Sequence, residues 1–250
     1  VLNLLKKYIV DSQIYVSLMG TLLTLFFMAE RIPFRSALIL LIFLTFLNGY
    51  LYTKYQMTRR LFGYVLLFNT LTFIFCVTVI IHRHHPESLI KWLFIIILGF
   101  LYNTQFLNTF IRKIPFIKIF HVALVWALIN SWLIMPVIQW DVFFITFFLV
   151  SGLILPFDIR DMQYDTVTTF PQIIGIQNTK YLAYLLLFFS SLIAVFSLQL
   201  NFAICYSLSV AVGFIFIYFA QLSRADAYYS FGVETVSGLP FLLHLLQKLF

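Results

Sequence analysis

Charge is what this sequence has least of. Only 10% of its 250 residues are Asp, Glu, Lys or Arg, whereas a water-soluble domain carries about a quarter. Most of the surface must therefore face something other than water. Cysteine is scarce as well: Cys76 and Cys205 each lie within an apolar run. There they read as small buried hydrophobes rather than as a disulfide or metal pair. No series of alternating segments about ten residues long appears, so a transmembrane β-barrel is excluded. Gly/Ser linkers, low-complexity tracts and a soluble insert are also missing, and residues 1–250 read as one transmembrane helical domain. No small-residue cleavage site follows Lys6 and Lys7, so the first apolar run is expected to be a retained span rather than a cleaved signal.

What fills the chain is long continuous apolar sequence. Hydrophobic residues make up 62%, with 31 Phe and 14 Tyr, and mean hydropathy is +1.00. Such composition suits lipid contact and interfacial aromatic belts. Nine spans are predicted, at 13–29, 37–53, 61–81, 92–111, 119–138, 142–157, 180–199, 202–220 and 238–250. The sixth and ninth are short for about 30 Å of hydrocarbon at 1.5 Å per residue. The predicted fold class is all-α: a polytopic bundle of about nine transmembrane helices around a central cavity.

The basic residues give the spans an orientation. Lys6, Lys7, Lys54, Arg59, Arg60, Arg112, Lys113, Lys118, Arg160, Lys180 and Arg224 fall on the side of the N-terminus, eleven in all. Arg31, Arg35, Arg83, Lys91 and Lys248, five residues, fall on the other. By the positive-inside rule the N-terminus is expected in the cytoplasm, and a bacterial inner membrane is the expected location. The formal net charge of +7 is accounted for by topology, since the cations sit at the ends of apolar runs; no nucleic-acid partner is expected.

Three of the nine acidic residues cluster in Pro156-Phe157-Asp158-Ile159-Arg160-Asp161-Met162-Gln163-Tyr164-Asp165. On a helix, positions i, i+3 and i+7 point into one narrow sector. Three carboxylates on one stripe repel one another unless a cation sits among them. Mg²⁺ suits such a cluster, being held by one or two carboxylates together with a substrate's phosphates. The plain alternative is a solvated loop with ordinary surface charges.

The stretch Asp158-Ile-Arg-Asp-Met-Gln-Tyr-Asp165, followed by Thr168-Thr-Phe-Pro171 and Gly175, resembles the second aspartate-rich motif of the UbiA family of intramembrane prenyltransferases. That motif reads Asp-x-x-Asp-x-x-x-Asp, then a Thr-Leu-Pro-like turn and a Gly. Tyr102 with Arg112-Lys113-Ile114-Pro115 resembles the family's Tyr…Lys-Arg-x-Pro segment, and Asp226-Ala-Tyr-Tyr-Ser-Phe-Gly232 its final loop. The resemblance implies two aspartate-rich motifs facing each other across a cavity, holding Mg²⁺ ions that bind the diphosphate of an isoprenoid donor. It also implies Asp158, Asp161 and Asp165 as catalytic metal–diphosphate ligands. Arg112 and Lys113 would contact phosphate or position a nearby loop, with Tyr102 in the same substrate-binding segment. The implied partners are membrane lipids and a polyprenyl diphosphate, with further membrane proteins as companions if the chain is a complex subunit.

The first motif departs from the family. It should read Asn-Asp-x-x-Asp-x-x-x-Asp at the end of the second helix, and the corresponding stretch is Asn48-Gly-Tyr-Leu-Tyr-Thr-Lys-Tyr-Gln56. Asn48 is kept, but Gly49, Tyr52 and Gln56 stand at the carboxylate positions. Neutral groups do not neutralise Mg²⁺, so a single metal site is expected. Two readings follow. In one, a divergent transferase uses a metal on Asp158, Asp161 and Asp165, with Lys54, Arg59 or Arg60 taking the remaining phosphate charge. In the other, a non-catalytic lipid-binding or complex-forming subunit keeps the scaffold. A small-solute transporter is disfavoured because ionisable residues lie at span ends rather than deep within spans.

Other features read more simply. His82-Arg83-His84-His85 is expected to be a solvated basic loop. Pro33, Pro115, Pro136 and Pro171 are expected to end helices. Asn103, Gln105 and Asn108 are too dispersed along the fourth span for a site, and inter-helix hydrogen bonding suits them. Tyr228 and Tyr229 are expected in an aromatic belt.

Overall fold

The computed structural model describes residues 13–56, 58–82, 86–101, 117–163 and 168–249. Among them are nine α-helices: α1 (Ile14–Arg31), α2 (Ser36–Tyr55), α3 (Arg59–His82), α4 (Pro86–Leu101), α5 (Ile117–Leu128), α6 (Trp140–Asp161), α7 (Phe170–Ser197), α8 (Leu200–Phe219) and α9 (Glu234–Leu249). Two π-helical segments, Ile129–Leu133 and Tyr228–Val233, end α5 and lead into α9. Each helix packs on the next in chain order and α9 packs back on α1, so the bundle is a closed ring.

Six of these helices are long and apolar enough to cross a membrane by length and composition. At 1.5 Å per residue, the 22 residues of α6 reach about 33 Å, a full hydrocarbon thickness. The outward faces carry exposed Leu67, Leu71, Ile74, Phe196 and Leu208, side chains that a hydrocarbon solvent accepts. The chain is an integral membrane protein in build.

Small residues let the helices of one half of the ring approach closely, as they do between membrane helices generally. A Cβ placed on Gly152 of α6 would lie 2.1 Å from Leu187 Cδ1, and one on Gly213 of α8 would lie 2.8 Å from Leu187 Cδ2. Leu187 of α7 is thus clamped between two glycines. Gly238 of α9 makes a similar seat for Met19 of α1, at the seam that closes the ring. Buried Ser190 Oγ donates to the Ile145 carbonyl at 2.6 Å and shares a 2.6 Å hydrogen bond with Tyr206, which ties α6, α7 and α8 together. The α2–α5 half is joined by aromatic side chains instead. Trp92 Nε1 donates to Thr45 Oγ1 at 2.8 Å, Phe73 stacks on Trp92, and Trp126 Nε1 donates to the Tyr50 hydroxyl at 3.0 Å.

Polar contacts sort the two ends of the ring. At one end Arg31 Nη1 donates to Gln139 Oε1 at 2.9 Å and its guanidinium pairs with Asp141. The Gln199 N–H donates to Glu30 Oε1 at 2.7 Å, and Lys91 Nζ donates to the Met135 and Pro136 carbonyls. At the other end lie Lys118, Asp158, Arg160, Lys180 and the 218–229 segment.

Several expected boundaries move. The sixth span is not short: α6 continues through Pro156 and about one turn past the expected end at residue 157, to Asp161. The charges expected to end it are neutralised by basic partners described below, so the helix carries them. The seventh helix begins at Phe170, ten residues before the expected span, and bends at Gly175, whose φ of 81° and ψ of 161° are open to glycine. Pro171 therefore starts a helix rather than ending one, in the first turn where its missing N–H costs nothing. The fourth helix starts at Pro86, six residues earlier than expected. Arg83, His84, His85, Asn103, Gln105, Asn108 and Pro115 lie outside the described residues.

Candidate active site at the end of the sixth helix

Asp158 and Asp161 sit three residues apart on the last turn of α6, so their side chains leave the helix on neighbouring sectors. Asp158 is 2% exposed, and its Oδ1 lies 3.3 Å from the Lys118 ammonium near the start of α5. A carboxylate this deeply buried is costly without such a partner. Asp161 is engaged differently. Arg160 Nε and Nη2 donate to its two oxygens at 2.7 Å each, the bidentate geometry that suits guanidinium and carboxylate. The guanidinium also lies over the Phe157 and Tyr229 rings, 5.3 and 5.5 Å from their centroids, with Asp226 within electrostatic reach.

The segment after α6 returns to the ring through local hydrogen bonds. Gln172 Oε1 accepts from the Thr169 N–H at 2.9 Å, and Gln172 Nε2 donates to the Met162 carbonyl at 2.8 Å. Thr169, Pro171 and Gly175, quoted above as part of the aspartate-rich motif, thus have local structural roles as cap, first-turn residue and hinge. Tyr229 is not in an aromatic belt. It is fully buried, its hydroxyl donating to the Gln221 carbonyl at 2.7 Å and accepting the Gln221 N–H at 3.0 Å. Tyr228 also turns inward, donating to the Phe216 carbonyl. Both hydroxyls find backbone partners where α8 gives way to the next segment, and lipid headgroups are not needed to satisfy them.

The 48–56 stretch, whose Tyr50 accepts a hydrogen bond from Trp126 of α5, ends α2 at the same end of the ring. Its Asn48 is committed to α3: Nδ2 donates to Thr72 Oγ1 at 2.8 Å, and Thr72 Oγ1 donates to Asn48 Oδ1 at 3.0 Å. Gly49 is exposed, and a Cβ there would meet nothing within 4 Å. Tyr52 packs edge-on against Phe100 of α4 and against Phe62 of α3. Gln56 Nε2 turns back to the Thr53 carbonyl of its own turn. Lys54 is exposed, with its ammonium 5.6 Å from the Tyr55 ring centroid. Among the described residues no carboxylate is seen to pair with the 48–56 stretch. Among the described residues no group of three or more His, Cys, Asp and Glu gathers as a metal site.

Asp165, Tyr102, Arg112 and Lys113 lie outside the described residues. Lys118 and Arg160, the two cations that hold Asp158 and Asp161, were read from sequence only as topological charges. The alternation of Asp158-x-Arg160-Asp161 offered a local signal for Arg160. Lys118 had none, because forty residues separate it from its partner.

No protein-family model matches the chain, and neither does any curated protein. Among solved structures, a UbiA homolog from Archaeoglobus fulgidus bound to GPP and Mg²⁺ superposes with a TM-score of 0.67, covering 95% of this chain and 97% of that one at 11% identity. The fold is UbiA-like. Near-complete coverage in both directions means that the whole ring is shared, not a few helices of it. At 11% identity the likeness speaks for architecture alone, and the UbiA-like ring must be read for chemistry from its own residues.

Proposed function

We propose that this UbiA-like protein binds a polyprenyl diphosphate, with the diphosphate at the end carrying Asp158 and Asp161 and the hydrocarbon chain within the ring. From there it would transfer the isoprenoid to an acceptor, with a weakened metal site. The observation that carries this reading is buried Asp158 paired with partly exposed Lys118, beside the Asp161–Arg160 pair, at the end of α6 in a fold whose solved counterpart is bound to GPP and Mg²⁺.

The described residues fit one Mg²⁺ rather than two. Mg²⁺ commonly takes one or two carboxylates together with phosphate oxygens, and Asp158 and Asp161 meet that minimum, while the 48–56 stretch adds no acidic ligand. Asp165 would be a third ligand of the same motif. The ion would supply charge neutralisation for the departing diphosphate. Lys118 and Arg160 pair with the two carboxylates and, released from them, offer N–H donors to phosphate oxygens. Lys54, Arg112 and Lys113 are further phosphate contacts in this reading, and Tyr102 a neighbouring one. The buried apolar interior keeps water from the allylic cation that diphosphate departure leaves behind.

A second reading, a non-catalytic lipid-binding or complex-forming subunit, is favoured by one observation. Tyr52 has taken up aromatic packing with Phe62 and Phe100, so the former metal face of α2 serves cohesion. In both readings we propose a bacterial inner membrane with the Asp158 end towards the cytoplasm, an orientation that the distribution of basic residues supports.

The two readings separate on turnover. Purified protein is titrated with geranyl diphosphate with and without Mg²⁺, then assayed for diphosphate release with aromatic acceptors. Binding that Mg²⁺ strengthens, with slow release lost in Asp161→Asn, supports the transferase. Binding without release supports the subunit. Absence of binding overturns the transferase and the binding of a polyprenyl diphosphate, and leaves a complex-forming subunit.

A further inference from the structure

On its outer face the ring carries a shallow open groove of about 420 Å³ between α7 and α8, lined by Tyr184, Phe214, Ile215, Tyr218 and Phe219. Its lining is almost wholly apolar, as a hydrocarbon chain requires. What distinguishes it from the rest of the lipid-facing surface is the pair of cations at one end. Lys180 stands one helical turn before Tyr184, on the same face of α7. Its side chain is 8% exposed, and its ammonium donates to the Tyr218 carbonyl at 2.7 Å. Arg224 is exposed, its Nε donating to the Phe219 carbonyl at 3.2 Å and its guanidinium lying over the Phe219 and Tyr228 rings. Both cations therefore hang on consecutive carbonyls at the last turn of α8, whose side chains line the groove.

Cations at a helix C-terminus commonly satisfy its last carbonyls, and that accounts for one donor of each side chain. It leaves a charge unaccounted for. An ammonium has three donors, and among the described residues no carboxylate pairs with Lys180. A buried, uncompensated cation beside hydrocarbon is costly unless an anion meets it. Asp226 lies in the same connecting segment and acts electrostatically on Arg160. We propose that this groove is a binding site for an anionic phospholipid, with an acyl chain against Tyr184, Phe214 and Ile215 and the phosphate at Lys180 and Arg224. Tyr184 and Tyr218 set the depth, as amphipathic rings do at the headgroup level.

The test uses purified full-length protein in detergent, offered equal amounts of phosphatidylglycerol and phosphatidylcholine with the same chains, and retained lipid is weighed by native mass spectrometry. The wild-type protein is expected to prefer phosphatidylglycerol by about fivefold or more, and Lys180→Gln or Arg224→Gln should each bring that preference towards unity. Exposed Arg224 guards against a folding failure of the Lys180 variant. Ile215→Trp, which fills the groove, should lower retention of both lipids, while Lys248→Gln at the opposite end should change nothing. No headgroup preference, or a preference that survives Arg224→Gln, would overturn the site. Displacement by inorganic phosphate would assign the cations to free phosphate. A retained second copy of the chain in place of lipid would assign the groove to self-association. Either of those results would also overturn the proposal.

Discussion

The two halves of the ring are built from the same apolar alphabet yet are used differently. In α6 and α1, 67% and 61% of the most apolar window is buried inside the protein, against 22% in α2 and 17% in α3. The α6–α9–α1 half packs through glycine and serine, with backbones close enough that a methyl group on Gly152 has no room. The α2–α3–α4 side is held by rings such as Phe73, Trp92, Tyr52 and Phe100. Asp158 and Asp161 end the tightly packed helix, and Gly49, Tyr52 and Gln56, where the resemblance expects carboxylates, end the looser one. Close packing gives a buried charge a fixed partner, as Lys118 gives Asp158, and burial punishes removal of either. On an exposed helix end a carboxylate can be exchanged for Gly49 or Gln56 at little structural cost.

The contrast is broken most directly at its glycines. Gly152→Val should destabilise the protein by about 3 kcal/mol, since Leu187 cannot swing away while Gly213 bounds its other methyl. Gly49→Val, in open space, should be close to neutral. Thermal denaturation in detergent reads both, and equal losses would dissolve the distinction between the halves.

Next in size are the carboxylates. Asp158→Asn and Asp161→Asn should each weaken geranyl diphosphate binding by more than about tenfold, the scale of a lost charge-assisted contact. Gln56→Ala on α2 should leave binding within about twofold. Isothermal titration decides, and a larger loss at Gln56 than at Asp161 would move the site to the other half.

A smaller effect is expected at Tyr229. Tyr229→Phe removes both hydrogen bonds to Gln221 and should cost about 1 kcal/mol, with faster amide exchange in the 220–227 segment. Unchanged exchange there would leave the hydroxyl without a structural role.

The smallest effect is a gain. Gly49→Asp returns one carboxylate where space allows it, and should strengthen Mg²⁺-dependent diphosphate binding about threefold by adding one acidic oxygen donor. An Asp at position 49 that leaves the Mg²⁺ dependence untouched would show that the end of α2 no longer faces the ligand.

Sequence by itself determined the solvent and the class of structure. Ten per cent charge and long apolar runs leave helices in lipid as the solution in which every backbone group is satisfied. It also singled out Asp158 and Asp161, because carboxylates at one-turn spacing stand out in a chain so poor in acids. Boundaries were less legible. Asp158 reads as the end of a span when charges are taken to lie in water, and Gly175 reads as loop when its hinge is already inside a helix. Only the tertiary structure decided what each charge meets. Lys118 lies forty residues from Asp158, Arg31 pairs with Asp141 across the opposite end, and Asn48 spends its amide on Thr72. Such pairings depend on which helices the ring makes neighbours, and hydropathy, which any lipid-facing order of the same helices would satisfy, carries no information about that choice.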